Sequence, residues 1–339
     1  MTAFWVTGAG TGELRTERLP EPAADQLVIR TLRSGISKGT ELQVFTNRVP
    51  PSQYHLMGCP HMEGAFPAPV KYGYCNVGEV EQGPAELVGR RVFGLFPHQT
   101  RYVADVEEVV PVPDAVPTER AVLTASMETA LNATWDAEVK VGDRVAVIGL
   151  GTIGGLVAYL CAAIPGTRVT AFDVQPTRAD LAYQLNVDFT DARSVSQQDR
   201  AARLAKPTGP KGEERYDVVF HTSACADGLR TALALCGIEA RLVELSWHCD
   251  REVSLPLGEN FHSHRLQLIS SQVGRIPAAQ RSRWTHRRRL QLALSLLADP
   301  LLDCFLTGES PFWALPQTMV TLAADPADTL CHSVVYDRA

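Results

Sequence analysis

The 339-residue chain carries 32 Lys and Arg against 38 Asp and Glu, a net charge of −6, with 45% hydrophobic and 21% charged residues. That length predicts two domains, because single cores stop growing well short of it, and the composition is that of an ordinary globular protein. The mild acidity excludes a nonspecific nucleic-acid binder, which needs a broad basic face, and no apolar run reaches the roughly 20 residues a membrane-spanning helix requires.

The opening MTAFWVTGAGTG has neither a basic n-region nor a long apolar stretch, so no export signal and a cytoplasmic protein are expected. Residues 1 to about 120 read as short strands broken by Gly and Pro. QLVIRTL, CNVGEVEQG, RRVFGLF and TRYVADVEEVVPVP carry period-two or short apolar runs. The polar stretch SGISKGTEL follows the first of them, with at most a helical turn after Gly39. The turn-rich loop of residues 46–72 carries Tyr54, Met57, Met62, Phe66 and Tyr72, which either meet a partly apolar substrate or pack beneath the loop.

From about residue 121 the pattern changes. AVLTASMETALNATWDAEV has helical spacing, and RVAVIGL, RVTAFDV, YDVVFHTSA, RLVELSW and RLQLISSQV then alternate with helical segments. That alternation predicts a parallel sheet with helices on both faces. The basic segment RSRWTHRRRLQLALSLLAD predicts a helix with Arg287 to Arg289 on a solvated face, and HSVVYD a last strand outside the parallel sheet. The eight cysteines include no short Cys pair of the zinc-knuckle kind, and they read as buried small side chains rather than disulfides.

GLGTIG directly follows the strand RVAVI and opens a helix, the context that gives a G-x-G-x-x-G spacing meaning. Gly149 permits the tight turn, Gly151 lets a pyrophosphate approach, and Gly154 lets helix and strand pack closely, with Thr152 and Ile153 in the first helical turn. Asp173, at the end of the next strand, is placed to accept hydrogen bonds from ribose hydroxyls and to repel a 2′-phosphate. NAD is therefore favoured over NADP, a preference that Arg178 nearby would weaken.

VKVGDRVAVIGLGTIGGLVA, between a β-rich N-terminal part and a returning C-terminal tail, resembles the medium-chain dehydrogenase/reductase superfamily over nearly the whole chain. SGISKGTE, PVKYGY, FPHQ and LSWHCDREVSLPLGENFHSHRLQLISSQVG are similar to its zinc-independent group, that of bacteriochlorophyllide dehydrogenase-like proteins. The resemblance implies an α/β protein: a GroES-like β-rich catalytic domain over 1–123, completed by 276–339, and a Rossmann doubly wound parallel sheet over 124–275. It also implies Ser246 and Ser271 near the nicotinamide amide, a small-molecule substrate, and a homodimer paired through RLQLISSQV.

Zinc members of the superfamily read G-I-C where this chain has Gly35-Ile36-Ser37, and G-H-E where it has Gly73-Tyr74-Cys75. The third ligand position falls in LTASMETA, which has no thiolate, and only PHQ fills the place of the four-cysteine lobe. Hydroxyls bind zinc poorly, so no metal is expected. Tyr74 is then the expected proton donor and acceptor, with its pKa lowered by the Lys38 ammonium, while Ser37 and Thr40 orient the substrate oxygen. By strict count the family's relay hydroxyl falls at Gly39. His98 is the rival acid–base group; alternatively Tyr74 only fills the vacated zinc space, and Lys38 and Glu41 form an exposed ion pair.

The expected protein is a zinc-independent, NAD-dependent oxidoreductase interconverting a secondary alcohol and a ketone in specialised metabolism. An NADP-dependent double-bond reductase and a non-catalytic nucleotide sensor are the alternatives.

Overall fold

The computed structural model describes residues 1–194, 215–325 and 329–337. The chain divides into unit 1, Met1–Met127 with His286–Ala339, and unit 2, Glu128–Thr285.

In chain order, the first part holds β1 (Thr2–Gly8), β2 (Thr11–Thr16), β3 (Leu27–Ile36), α1 (Lys38–Phe45), β4 (Glu63–Gly64), β5 (Val70–Lys71) and β6 (Asn76–Gln82). After these come β7 (Arg91–Gly94), β8 (Arg101–Ala104), β9 (Val109–Pro111), α2 (Thr118–Ala121) and α3 (Thr124–Ala137). Strands β10 (Arg144–Ile148), β11 (Arg168–Asp173), β12 (Asp188–Asp191), β13 (Tyr216–His221), β14 (Cys236–Glu244) and β15 (Gln267–Ser270) follow, with α4 (Thr152–Ala162), α5 (Arg178–Gln184) and α6 (Ala226–Leu235) between them. The last part holds α7 (His286–Leu296), β16 (Leu306–Pro311), α8 (Leu315–Ala324) and β17 (Cys331–Val335).

Unit 2 is a six-stranded parallel sheet in the order β12-β11-β10-β13-β14-β15. The chain starts in the middle, winds outward one way, then returns and winds out the other. This is the doubly wound order whose switch point, here between β10 and β13, opens a crevice at the carboxyl ends of the strands. Central strand β10 explains its own position: Val145, Ala146, Val147 and Ile148 are all buried, as a strand covered on both faces requires. Each buried Val or Ile side chain contributes about 1.5–3 kcal/mol.

Unit 1 joins a four-stranded sheet, β2-β1-β5-β4, to a larger one in the order β16-β17-β3-β6-β7-β9, with β8 also on β3. The returning strand β17 pairs antiparallel with β3, so the tail completes the first unit's sheet. That pairing overrides the local sequence. Ser34, Gly35 and Ile36 look like loop residues but lie opposite Val334, Ser333 and His332, which extends β3 to Ile36. Helix α1 accordingly begins at Lys38, with Ser37 as its cap residue, rather than after Gly39.

The basic helix also departs from expectation, for it covers only His286–Leu296. Arg289 is 1% exposed, and Arg287 donates to the carbonyls of Glu107 and Val109 at 2.6 and 2.7 Å. The Arg287 guanidinium thus satisfies backbone acceptors, and Arg289 is buried rather than facing water. In the loop of residues 46–72, Phe66 and Tyr72 are buried beneath it, with their rings 5.8 Å apart. Among the described residues no helix is long and apolar enough to cross a membrane.

Candidate functional site

Functional side chains gather at two places, one in each unit. In unit 1 the end of β3 delivers Ser37 to the start of α1, where Tyr74 reaches it. The Tyr74 hydroxyl donates to Ser37 Oγ at 2.7 Å, and Thr40 also bonds to Tyr74. Gly73 makes this approach possible, since its φ of +138° suits glycine and a Cβ there would lie 3.0 Å from the His98 ring.

Behind this hydroxyl group runs a buried polar line. The Ser37 N–H donates to Glu41 Oε1 at 2.8 Å, and Glu41 Oε2 lies 2.8 Å from His98 Nε2. His98 Nδ1 is 2.6 Å from Ser34 Oγ, which is 2.9 Å from the Tyr336 hydroxyl. Glu41 is 3% exposed, His98 1% and Ser34 0%. One assignment of protons satisfies every atom: Tyr336 donates to Ser34, Ser34 to His98 Nδ1, and His98 Nε2–H to the Glu41 carboxylate. The carboxylate also sits in the first turn of α1, where the helix dipole favours it.

Three expectations are corrected here. Lys38 does not act on Tyr74 as an acidifying ammonium; its amine donates to the Thr329 carbonyl. Burial, then the Glu41 carboxylate, push the Tyr74 phenol well above its ordinary range, and the bonds from Ser37 and Thr40 offset this only in part. Glu41 is not in an exposed pair with Lys38 but is buried against His98. His98 itself is walled in with both nitrogens engaged, which makes it a link in the line rather than an accessible acid or base.

The neighbouring thiols are held protonated by burial. Cys75 is pushed well above its usual value, and Cys59 and Cys331 are each pushed up to about 12.

In unit 2 the glycine turn has the geometry its spacing predicts. Gly149 has φ +100°, and a Cβ there would be 2.8 Å from the Ser223 nitrogen. A Cβ at Gly154 would be 1.9 Å from the Gly149 carbonyl oxygen, so α4 and β10 can pack only with glycine at that point. At Gly151, by contrast, a Cβ would meet nothing within 4 Å, leaving open space at the start of α4 beside Thr152 and Ile153.

Asp173 ends β11 with one carboxylate oxygen accepting from the Leu150 N–H at 2.6 Å and the other from the Gln175 N–H at 2.8 Å. These bonds orient the carboxylate and leave further lone pairs on both oxygens. Arg178 is buried in the first turn of α5. Ser246 Oγ accepts from the Ala224 N–H at 3.0 Å. Ser271 donates its hydroxyl to Asp136 at 2.7 Å and its N–H to the Glu244 carbonyl, so what it keeps for a ligand amide are acceptors, its hydroxyl and carbonyl oxygens.

Sequence reasoning passed over a second cluster on the same edge of the sheet. His221 ends β13, Glu244 ends β14, and they are register partners. His221 Nδ1 is 2.7 Å from Glu244 Oε2, and His221 Nε2 is 2.7 Å from Ser223 Oγ. His248 Nε2 lies 3.4 Å from the same Glu244 oxygen. Burial opposes the charge on Glu244, yet its bonds with His221 and Ser246 outweigh that and hold the carboxyl below the usual carboxylate range. The strand-end placement of His221 and Glu244 was the available signal, since carboxyl ends of strands flank the crevice of such sheets.

No protein-family profile matches the chain. It is 26% identical over 186 residues to the D-guloside 3-dehydrogenase of Escherichia coli, covering 55% of this chain and 52% of that protein. It is 29% identical over 214 residues to the 2-desacetyl-2-hydroxyethyl bacteriochlorophyllide A dehydrogenase of Cereibacter sphaeroides, covering 57% and 63%. The chain thus spans about half the length of the first relative and under two thirds of the second. The crystal structure of 2R,3R-butanediol dehydrogenase from Bacillus subtilis is similar over 99% of both chains, with a TM-score of 0.77 and 18% identity. The fold is a GroES-like β-rich unit plus a Rossmann doubly wound sheet. The relatives matched in sequence are named as dehydrogenases, and two further similar crystal structures, 18% and 14% identical to this chain, hold NADP and NADH.

Proposed function

We propose that the chain is an oxidoreductase that interconverts a secondary alcohol and a ketone on a small or mid-sized metabolite, with NAD as cofactor and without zinc at the Ser37–Tyr74 position. The observation that carries the zinc-independent part is the Tyr74 O–H···Ser37 hydrogen bond at 2.7 Å, between two residues matched to zinc-ligand positions. A zinc site needs thiolate, imidazole or carboxylate donors. Here the two matched positions offer neutral hydroxyls, and the carboxylate behind them is engaged by His98 and the Ser37 N–H. These donors do not fit the ion, so no step is routed through one.

The residues of unit 2 do fit a dinucleotide. The open space at Gly151, before the N–H groups of α4, suits a pyrophosphate, and the oriented Asp173 carboxylate suits the diol of a ribose. The buried Arg178 supports NAD over its 2′-phosphorylated form. The nicotinamide, when bound, supplies hydride exchange with the carbinol carbon.

The residues of unit 1 deal with the substrate's oxygen, whose proton passes to solvent water when the alcohol is oxidised and comes from it when the ketone is reduced. Burial and the Glu41 carboxylate keep Tyr74 protonated, so it acts as a neutral donor rather than as a phenolate base; its single O–H, which bonds Ser37 without substrate, turns to the carbonyl oxygen when a substrate is present. Ser37 accepts from Tyr74 in the absence of substrate and can donate its own O–H to the phenol oxygen once that proton is taken, while Thr40 bonds to the phenol as well. The Glu41–His98 line fixes the Ser37 backbone and with it the whole group.

The relatives' names support an alcohol or polyol as substrate class. The test is oxidation of a panel of secondary alcohols and polyols with NAD by the chelator-treated enzyme, followed as NADH formation. Turnover is expected to survive chelation. Activity that disappears on chelation and returns with zinc in proportion to metal at Ser37 overturns the reading.

A further inference from the structure

We infer that His221, Glu244 and His248 form a binding site for a divalent transition-metal ion at the carboxyl edge of the parallel sheet. It shares no residue with the hydroxyl group of unit 1, and it does not rest on the oxidoreductase reading. One nitrogen from each histidine and one oxygen from the glutamate all lie within 4.8 Å of one another, the only such group of three among the described residues. Two of the ligands come from rigid elements, since His221 and Glu244 are the last residues of adjacent strands held in parallel register. The third, His248, lies in the loop that follows, with its ring within 14° of parallel to that of His221.

The outward-facing atoms of His221 and Glu244 are already occupied in the way a metal site requires. A metal-binding imidazole bonds through its second nitrogen to an outer partner that fixes the ring. His221 Nε2 is 2.7 Å from Ser223 Oγ, which turns Nδ1 toward the carboxylate. A ligating carboxylate is likewise held by its other oxygen, and Glu244 Oε1 accepts from the Ser246 N–H at 2.6 Å, which aims Oε2 inward. Glu244 Oε2 is then the point on which both imidazoles converge, at 2.7 and 3.4 Å. The longer distance is already near the separation of two ligands around one tetrahedral ion, and the shorter one opens from hydrogen-bond length as an ion takes up bonds of roughly 2.0–2.2 Å.

Two imidazoles and one carboxylate are the donors of zinc, and of nickel, cobalt or ferrous iron, rather than of magnesium or calcium, which require oxygen-rich shells. Three protein ligands leave a fourth position for water or another small molecule. The site abuts the dinucleotide turn through Ser223, whose atoms would lie 2.8–2.9 Å from a Cβ at Gly149. An ion at His221 therefore braces the wall of that turn.

The experiment uses the full chain stripped with a chelator and then titrated with zinc by calorimetry and with cobalt(II) by visible absorption. One zinc per chain is expected, with the strong visible bands of four-coordinate cobalt. His248→Ala and the isosteric Glu244→Gln are expected to weaken binding by about 100-fold or more and to abolish the cobalt bands. Ser37→Ala and Tyr74→Phe should bind zinc as the unaltered chain does. His248 lies in a loop, so its loss leaves the packed core in place, and Glu244→Gln gives an independent reading. Absence of stoichiometric binding by the stripped chain overturns the proposal. So does zinc binding unchanged by both substitutions, or lost on Ser37→Ala.

Discussion

Each unit holds a hydroxyl–imidazole–carboxylate line ending on a backbone N–H: Ser34–His98–Glu41–Ser37 in unit 1 and Ser223–His221–Glu244–Ser246 in unit 2. The distances are nearly the same, yet the surroundings differ. In unit 1 the terminal Ser34 is wholly buried and meets Tyr336, so the line is sealed at its serine–imidazole end. In unit 2 the terminal Ser223 is exposed, and a second imidazole, His248, approaches the carboxylate. The same three side-chain types thus make a rigid support where the serine end is closed and a prospective ligand site where it is open.

The sharpest way to break that comparison is to remove the imidazoles. His98→Ala leaves Glu41 buried without its partner, and a loss of about 3–5 kcal/mol in urea unfolding is expected. His248→Ala should cost only about 0.5–1.5 kcal/mol in the stripped chain. Equal losses would mean that closure does not distinguish the two lines.

Next in size is Tyr74→Phe, which removes the donor to the substrate oxygen while keeping the ring. A fall of about 10²–10³ in kcat is expected, with NADH affinity changed less than twofold, as measured by steady-state kinetics and fluorescence titration. The same variant tests the protonation state. Because the folded-state pKa of Tyr74 is raised, the phenol stays protonated as pH increases, and the kcat profile of the unaltered enzyme should show no limb between pH 6 and about 10 that Tyr74→Phe removes.

Smaller effects are expected in the glycine turn, where two neighbours separate folding from binding. Gly151→Ala meets open space, so unfolding should move by less than about 0.5 kcal/mol while NADH affinity falls by at least about tenfold. Gly154→Ala, set against the Gly149 carbonyl, should instead destabilise unit 2. Smallest of all, Arg178→Ala should leave the ratio of NADH to NADPH affinity within about threefold, because the side chain is buried away from solvent.

The turn was legible in the sequence because everything it needs is local: a buried strand, three glycines at fixed spacing, and an acid at the end of the next strand. Tyr74, Ser37 and Thr40 could be named as a group only through the resemblance, and the structure brings them within hydrogen-bonding reach. What surrounds them could not be read, because its members are far apart in the chain; Ser34 and Tyr336 are separated by 302 residues. His221 and Glu244 are 23 residues apart and meet only through strand register. The direction of a long side chain is equally hidden, which is why Lys38, Arg287 and Arg289 went to backbone acceptors or the interior instead of to their expected places.

Strand β17 closes the sheet of unit 1 on β3 and brings Tyr336 to Ser34. During synthesis, therefore, β3 must wait for β17, while every strand of the sheet between them in sequence has already emerged. Contacts this distant in sequence make loop closure slow, so the nucleotide-type half is the natural first unit to form on the translating chain, and the hydroxyl group is assembled last.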